Sequence, residues 1–257
     1  MSVLVPPARA VAALAAVMLA VPHTHPATPG AGRAAATRAG GADQLLSRAL
    51  AATNSATGFD WDARQQLGRA TFSFSSAVGR SSGTEEVSVV GSEQGQVSVL
   101  LFGAVAYFKG DAGGLSSIIG FAPRYAQAEQ SKWVALRQAV DPTAYAAIAY
   151  EMTVATTAAS LAMSGTVTEL PSARLNGQRV IGLRGFSGPT SESPSGGILE
   201  TLYVRAVGAP LPVELVQATP SVRLSMSFGA WGTPPSVRPP GGAVGFQRGW
   251  LSTSPGT

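Results

Sequence analysis

Along residues 70–110 apolar and polar positions alternate with a period of two. Phe72 and Phe74 alternate with Ser73 and Ser75, Val87 and Val89 flank Ser88, and Val97, Val99 and Leu101 continue the pattern. Val105 and Tyr107 then stand against Ala104, Ala106 and Phe108. Side chains of a strand point alternately to opposite faces, so this pattern predicts antiparallel strands with one face on a core. The links Gly79–Gly83, Gly91–Gly95 and Phe102–Gly103 are of hairpin length, which makes the four strands a meander.

Two blocks carry the helical period instead. Before the strands, Asp43–Ala56 places Leu45, Leu46, Ala49 and Leu50 on one side of a first helix. After them, Leu115, Ile118 and Ile119 fall at i, i+3 and i+4 behind Asp111, a residue type that caps helices, with Gly120 placed to stop the turn. Asp141-Pro142 is a second start signal, a capping side chain followed by a proline that needs no hydrogen bond at the first helical position. Tyr145, Ile148, Ala149 and Met152 continue it, and Val154–Met163 reads as one more helix ending near Gly165.

The period then returns to two. Val167–Leu175 and Gln178–Gly185 flank Asn176-Gly177, a dipeptide suited to the positive φ angles of a tight hairpin. Leu199–Ala206 and Leu211–Ala218 flank Gly208-Ala209-Pro210, and Val222, Leu224, Met226 and Phe228 alternate with Arg223, Ser225 and Ser227. Helix, strand run, helices, strand run is an α+β plan: a long antiparallel sheet with helices over one face.

The ends differ in kind. Arg9 precedes the apolar run Ala10–Val21, followed by a polar, small-residue stretch, which is the order of a secretory signal. Twelve residues are too few to span a bilayer as a helix, which takes about 20; an uncleaved anchor is the alternative, and Ala27 and Ala36 both qualify as cleavage positions. Residues 1–40 are therefore read as signal peptide and linker, 41–238 as one domain, and 239–257 as a Pro/Gly-rich flexible tail.

Composition narrows the chemistry. The net charge of +4 and pI of about 9.8 invite a nucleic-acid reading, but Lys109 and Lys132 are the only lysines and the arginines stand singly, without a basic cluster. The 257-residue chain has no cysteine, so it has no disulfide and no lipobox anchor, and its two histidines, His23 and His25, lie beside the leader. A Ser-His-Asp arrangement then has no histidine in the mature chain, although Gly79-Arg80-Ser81-Ser82-Gly83 fits G-x-S-x-G; between two strands this is an ordinary hairpin turn. Zinc and copper lose their usual ligands, no calcium loop or phosphate-binding glycine loop is present, and no cofactor is expected. Asp60 and Asp62 around Trp61 read as a solvated loop, and Glu85-Glu86 as an exposed strand end. Carboxylate-only hydrolysis stays open, because its two acids need not be neighbours in sequence.

What remains is apolar surface. The middle helices carry Leu115, Ile118, Ile119, Phe121, Tyr145 and Ile148, followed by Met152, Leu161 and Met163. Periodicity does not separate a plain core from a ligand lining for such stripes.

The order of the segments resembles the LppX/LprG-type envelope proteins of the wider LolA/LolB-like fold. The carrying pieces are ATFSFSSAVG (Ala70–Gly79), VAYFKGDAGGL (Val105–Leu115), SKWVAL (Ser131–Leu136) and DPTAYAAIA (Asp141–Ala149). LNGQRVIGLRG (Leu175–Gly185), LYVRAVGAPLPVEL (Leu202–Leu215) and FGAWGTPPSV (Phe228–Val237) complete them, over roughly residues 43–240. The resemblance implies a half-open barrel, a strongly curved antiparallel sheet with helices packed in its concave face. It implies a non-catalytic, monomeric binder of lipid or acylated glycolipid, working with envelope transport proteins. Phe72 and Phe74, with the helix residues above, are then candidates for the cavity wall. Moving an alkyl chain through water costs about 0.8 kcal/mol per CH₂, so a carrier must wrap it. Many relatives carry the lipobox cysteine; without it this protein is expected in a periplasm-like space or outside the cell, not lipid-anchored. A structural or protein-interaction module with a filled core is the alternative.

Overall fold

The computed structural model describes residues 33–187, 198–219 and 222–252. Among them are helix α1 (Arg33–Ser55), strands β1 (Gly58–Leu67), β2 (Ala70–Gly79), β3 (Ser82–Val90), β4 (Gly95–Phe102) and β5 (Val105–Gly110). Next come α2 (Ala112–Ser117), α3 (Pro123–Glu129), β6 (Val134–Arg137), α4 (Pro142–Ile148) and α5 (Val154–Ser160). The second strand run is β7 (Met163–Glu169), β8 (Ala173–Leu175), β9 (Gln178–Ser187), β10 (Ile198–Arg205), β11 (Pro212–Ala218) and β12 (Val222–Gly229), followed by the short β13 (Val244–Gly245). The expected leader, with His23 and His25, lies outside the described residues.

All thirteen strands form one curved sheet that does not close, in the order β13-β6-β5-β4-β3-β2-β1-β12-β11-β10-β9-β7, with β8 also on β9. Every pairing is antiparallel except β13 with β6. The protein is α+β, as the periodicity predicts, and β1 joins the first meander to the second by pairing with both β2 and β12. Asp60 and Asp62 therefore sit not in a loop but on this central strand. Phe59, Trp61, Ala63 and Gln65 are buried on one face, and both aspartates turn to the exposed one. Two acids beside a tryptophan look like a turn, yet period two sends both acids to one side and the tryptophan to the other.

The cap residues do what their chemistry predicts. The Asp111 carboxylate accepts from the Gly114 N–H at 2.6 Å, and that of Asp141 from the Ala144 N–H at 3.0 Å, satisfying amides that the first helical turn leaves free. Asn176 and Gly177 both have positive φ, as a two-residue hairpin turn requires. Gly79–Gly83 is a hairpin turn between β2 and β3.

Three expected extents differ. Helix α1 starts well before Asp43, inside the stretch assigned to the linker. The helix expected through Met163 ends at Ser160, and β7 begins at Met163 with a register shift between Ser164 and Thr168 that spans Gly165. The strand expected over Val167–Leu175 breaks at Leu170-Pro171, where proline has no N–H for the ladder, into β7 and β8.

The expected flexible tail is also built into the core over Val244–Trp250. Phe246 and Trp250 are buried and pack edge-on and tilted against Phe108 and Phe121. Arg248 holds the segment to the start of α4 through an ion pair with Asp141 at 3.4 Å. Proline and glycine suppress the periodic signal there, while two aromatics bury enough apolar surface to dock the segment.

Candidate functional site

Two apolar clusters fill the concave side. One joins β2–β6 to α2, α3 and the C-terminal aromatics; the other joins α1 and α5 to β1, β7 and β9–β12. Phe74 touches both clusters. Beside it at the seam lies a cavity of about 60 Å³, walled by Trp61, Phe72, Phe74, Val87, Val99, Ile118, Ile119, Ala147 and Ile148. Its polar lining is Glu85, Tyr150 and Glu151. A wider groove of about 290 Å³ lies between α2, α4 and the C-terminal segment, and it shares Ile118, Ile119, Ala147 and Ile148 with the cavity. Those four residues thus form the partition between the interior space and the groove.

Of the residues singled out in the sequence, Phe72, Phe74, Ile118, Ile119 and Ile148 come together on this wall. Leu115, Phe121 and Met152 are fully buried in the first cluster. Leu161 and Met163 belong to the second, Met163 packing over Gly185. The Tyr145 hydroxyl donates to the Gly103 carbonyl at 2.9 Å and pins α4 to the β4–β5 turn.

Seven wall residues stand outside the candidate set, Val87 and Val99 among them although they belong to the alternating strand pattern: Trp61, Glu85, Val87, Val99, Ala147, Tyr150 and Glu151. Trp61 went with the unrecognised β1. For Glu85 the signal was present, since it shares the parity of Val87 and Val89 and must face inward with them. Glu86, of opposite parity, is exposed and accepts from the Ser98 hydroxyl at 2.7 Å. Glu151 follows α4 with φ of +58°, a left-handed conformation that nothing in the local sequence announces.

The carboxyls make the site unusual. Glu85 accepts from the Ser76 hydroxyl at 2.9 Å, and burial, reinforced by the charges of Glu151 and Glu86, pushes its pKa up to about 8. Burial pushes Glu151 up to about 7, offset in part by the nearby Ser160 hydroxyl, which itself donates to the Thr157 carbonyl at 2.8 Å. Glu200, on β10 and 1% exposed, is pushed up to about 7 by burial and by Glu151. Gln217 donates to its Oε2 at 2.8 Å, while Oε1 has no partner. Burial and the charges of Glu151 and Glu200 also raise Tyr150. Among the described residues no lysine or arginine acts on any of the three glutamates, so burial dominates and the neutral acids are favoured.

The backbone around Glu151 is tightly held. Its carbonyl accepts from Thr157 Oγ1 at 2.8 Å and from Trp61 Nε1 at 3.4 Å. The next carbonyl, of Met152, passes over Gly83, where a Cβ would come within 2.3 Å of its oxygen. Among the described residues no group of three or more Asp, Glu, His or Cys side chains is placed to hold a metal ion.

A curved, unclosed sheet with helices in its concavity has counterparts among solved structures. The chain is similar in structure to LprF from Mycobacterium bovis, with a TM-score of 0.52 and 14% sequence identity over 79% of this chain and 98% of that one. The lipoprotein LppX of Mycobacterium tuberculosis aligns at 12% identity with a TM-score of 0.49, over 76% of this chain and 99% of that one. At such identities the likeness is one of fold. Neither family models nor curated protein sequences give any match to the chain.

Proposed function

We propose that the protein is an exported, non-catalytic binder of an apolar ligand, a lipid or acylated glycolipid, held between sheet and helices. The observation that carries this reading is the apolar cavity at the seam of the two clusters, partitioned from an outer groove by four small or aliphatic side chains. The fold shared with LprF supports it. A cavity of 60 Å³ is below the roughly 300–1,000 Å³ of small-molecule sites, so a ligand enters by parting α2 and α4 and joining cavity to groove. The ligand domain, expected over 41–238, also takes in the docked segment Val244–Trp250 and stands behind a cleaved leader; the protein acts as a monomer and hands its cargo to envelope transport proteins. Among the described residues no helix is long and apolar enough to cross a membrane.

The small cavity also favours a second reading, a structural or interaction module with a filled core. Hydrolysis by Glu85 and Glu151 is disfavoured by their environment. A two-carboxylate mechanism keeps one group ionised, and burial holds both protonated below about pH 7. Native mass spectrometry of the protein purified from its own host separates the two main readings. The binder leaves with a lipid-sized mass adduct that organic extraction removes; a chain that is always adduct-free is a filled module.

A further inference from the structure

A second cleft, of about 330 Å³, opens in the other half of the molecule, between α1, the end of β7 and the turn after β10. Gln44 and Arg48 face it from α1, Glu169 from β7, and Arg205 and Gly208 from β10 and its turn. None of these wall residues lines the apolar cavity. The ion pairs among the described residues are Lys132 with Glu129 and Arg248 with Asp141, so Arg48, Arg205 and Glu169 share a cleft without pairing. Arg205 is the sharper case. Its Nε–H is buried and has no hydrogen-bond partner. A buried donor left unmet is unfavourable, more so when charged, and the fork of a guanidinium fits phosphate or carboxylate oxygens.

We propose that this cleft is an anion site, in which Arg48 and Arg205 hold a phosphate or carboxylate whose neighbouring hydroxyl donates to Glu169. Two guanidiniums against one carboxylate leave a net positive wall, and Gln44 adds an amide donor. Glu169 disfavours a bare polyanion and favours a hydroxylated one. A free polyol phosphate and a glycerophospholipid headgroup present the same chemistry.

Titration of glycerol phosphate into the full chain at low salt, followed by calorimetry, tests the site. Saturable binding that weakens at least about tenfold in Arg48→Gln and in Arg205→Gln, as loss of a charge-assisted hydrogen bond should do, supports it and assigns it to free anions. Retention on phosphatidylglycerol but not phosphatidylcholine vesicles, lost in the same variants, supports it and assigns it to headgroups. Silence in both assays, or variants that bind like the parent, overturns it. Arg48 is exposed on α1, so its variant keeps the fold even if that of Arg205 does not.

Discussion

Glu85, Glu151 and Glu200 are the residues at which the fold works against simple solvation. Each has an ordinary value of 4.5, and inside the protein they titrate at about 8, 7 and 7. Between those limits the folded chain keeps protons that the unfolded chain has released. Stability is therefore full below about pH 4.5 and falls as pH rises through 7 to 8, at about 1.4 kcal/mol per pH unit for an isolated group. Urea midpoints at pH 5 and pH 8.5 should differ in that direction. Glu151→Gln, which stays neutral, should flatten the profile; a parent profile level from pH 5 to 8.5 would contradict the buried-acid assignment. The inward parity of Glu85 was legible from Val87 and Val89, whereas Glu151 owes its place to a backbone twist that no spacing encodes.

At the scale of elements, two contacts set the shape of the concavity. The turn between α4 and α5 rides over β3 at Gly83, where any Cβ collides with the Met152 carbonyl. Gly83→Ala should cost about 1–3 kcal/mol in chemical denaturation, as overpacking does, and should raise hydrogen exchange around Tyr150–Met152. The C-terminal segment is the second contact. Trp250→Ala should cost about 3–5 kcal/mol, as truncating a buried aromatic usually does, and deletion of residues 239–257 at least as much. A deletion that leaves the melting curve unmoved would restore the flexible tail. The meander, the Asp111 and Asp141 caps and the Asn176-Gly177 hairpin were legible because local chemistry decides them. Strand β1, the end of α5 and the docked C-terminus were not, because pairing partners distant in sequence decide those.

For the whole molecule, the pattern of strand runs around helices was enough for an α+β plan, and the likeness of segment order pointed to the half-open sheet shared with LprF. Periodicity did not tell which apolar side chains face the seam, because a core residue and a wall residue repeat alike. The wall draws on strands β1–β4, the end of helix α2 and the α4–α5 region, and only the assembled sheet brings them together. The partition of Ile118, Ile119, Ala147 and Ile148 makes the central claim testable, since Ala147 is half-buried and a larger side chain there blocks the passage without entering the packed core. The most direct measurement is a titration of delipidated protein with a fluorescent long-chain fatty acid, for the parent and for Ala147→Trp. Saturable one-to-one binding by the parent, weakened at least about tenfold in a variant with an unchanged melting temperature, is the predicted result. No saturable binding by the parent, or equal binding by a folded Ala147→Trp variant, would contradict a ligand site between sheet and helices.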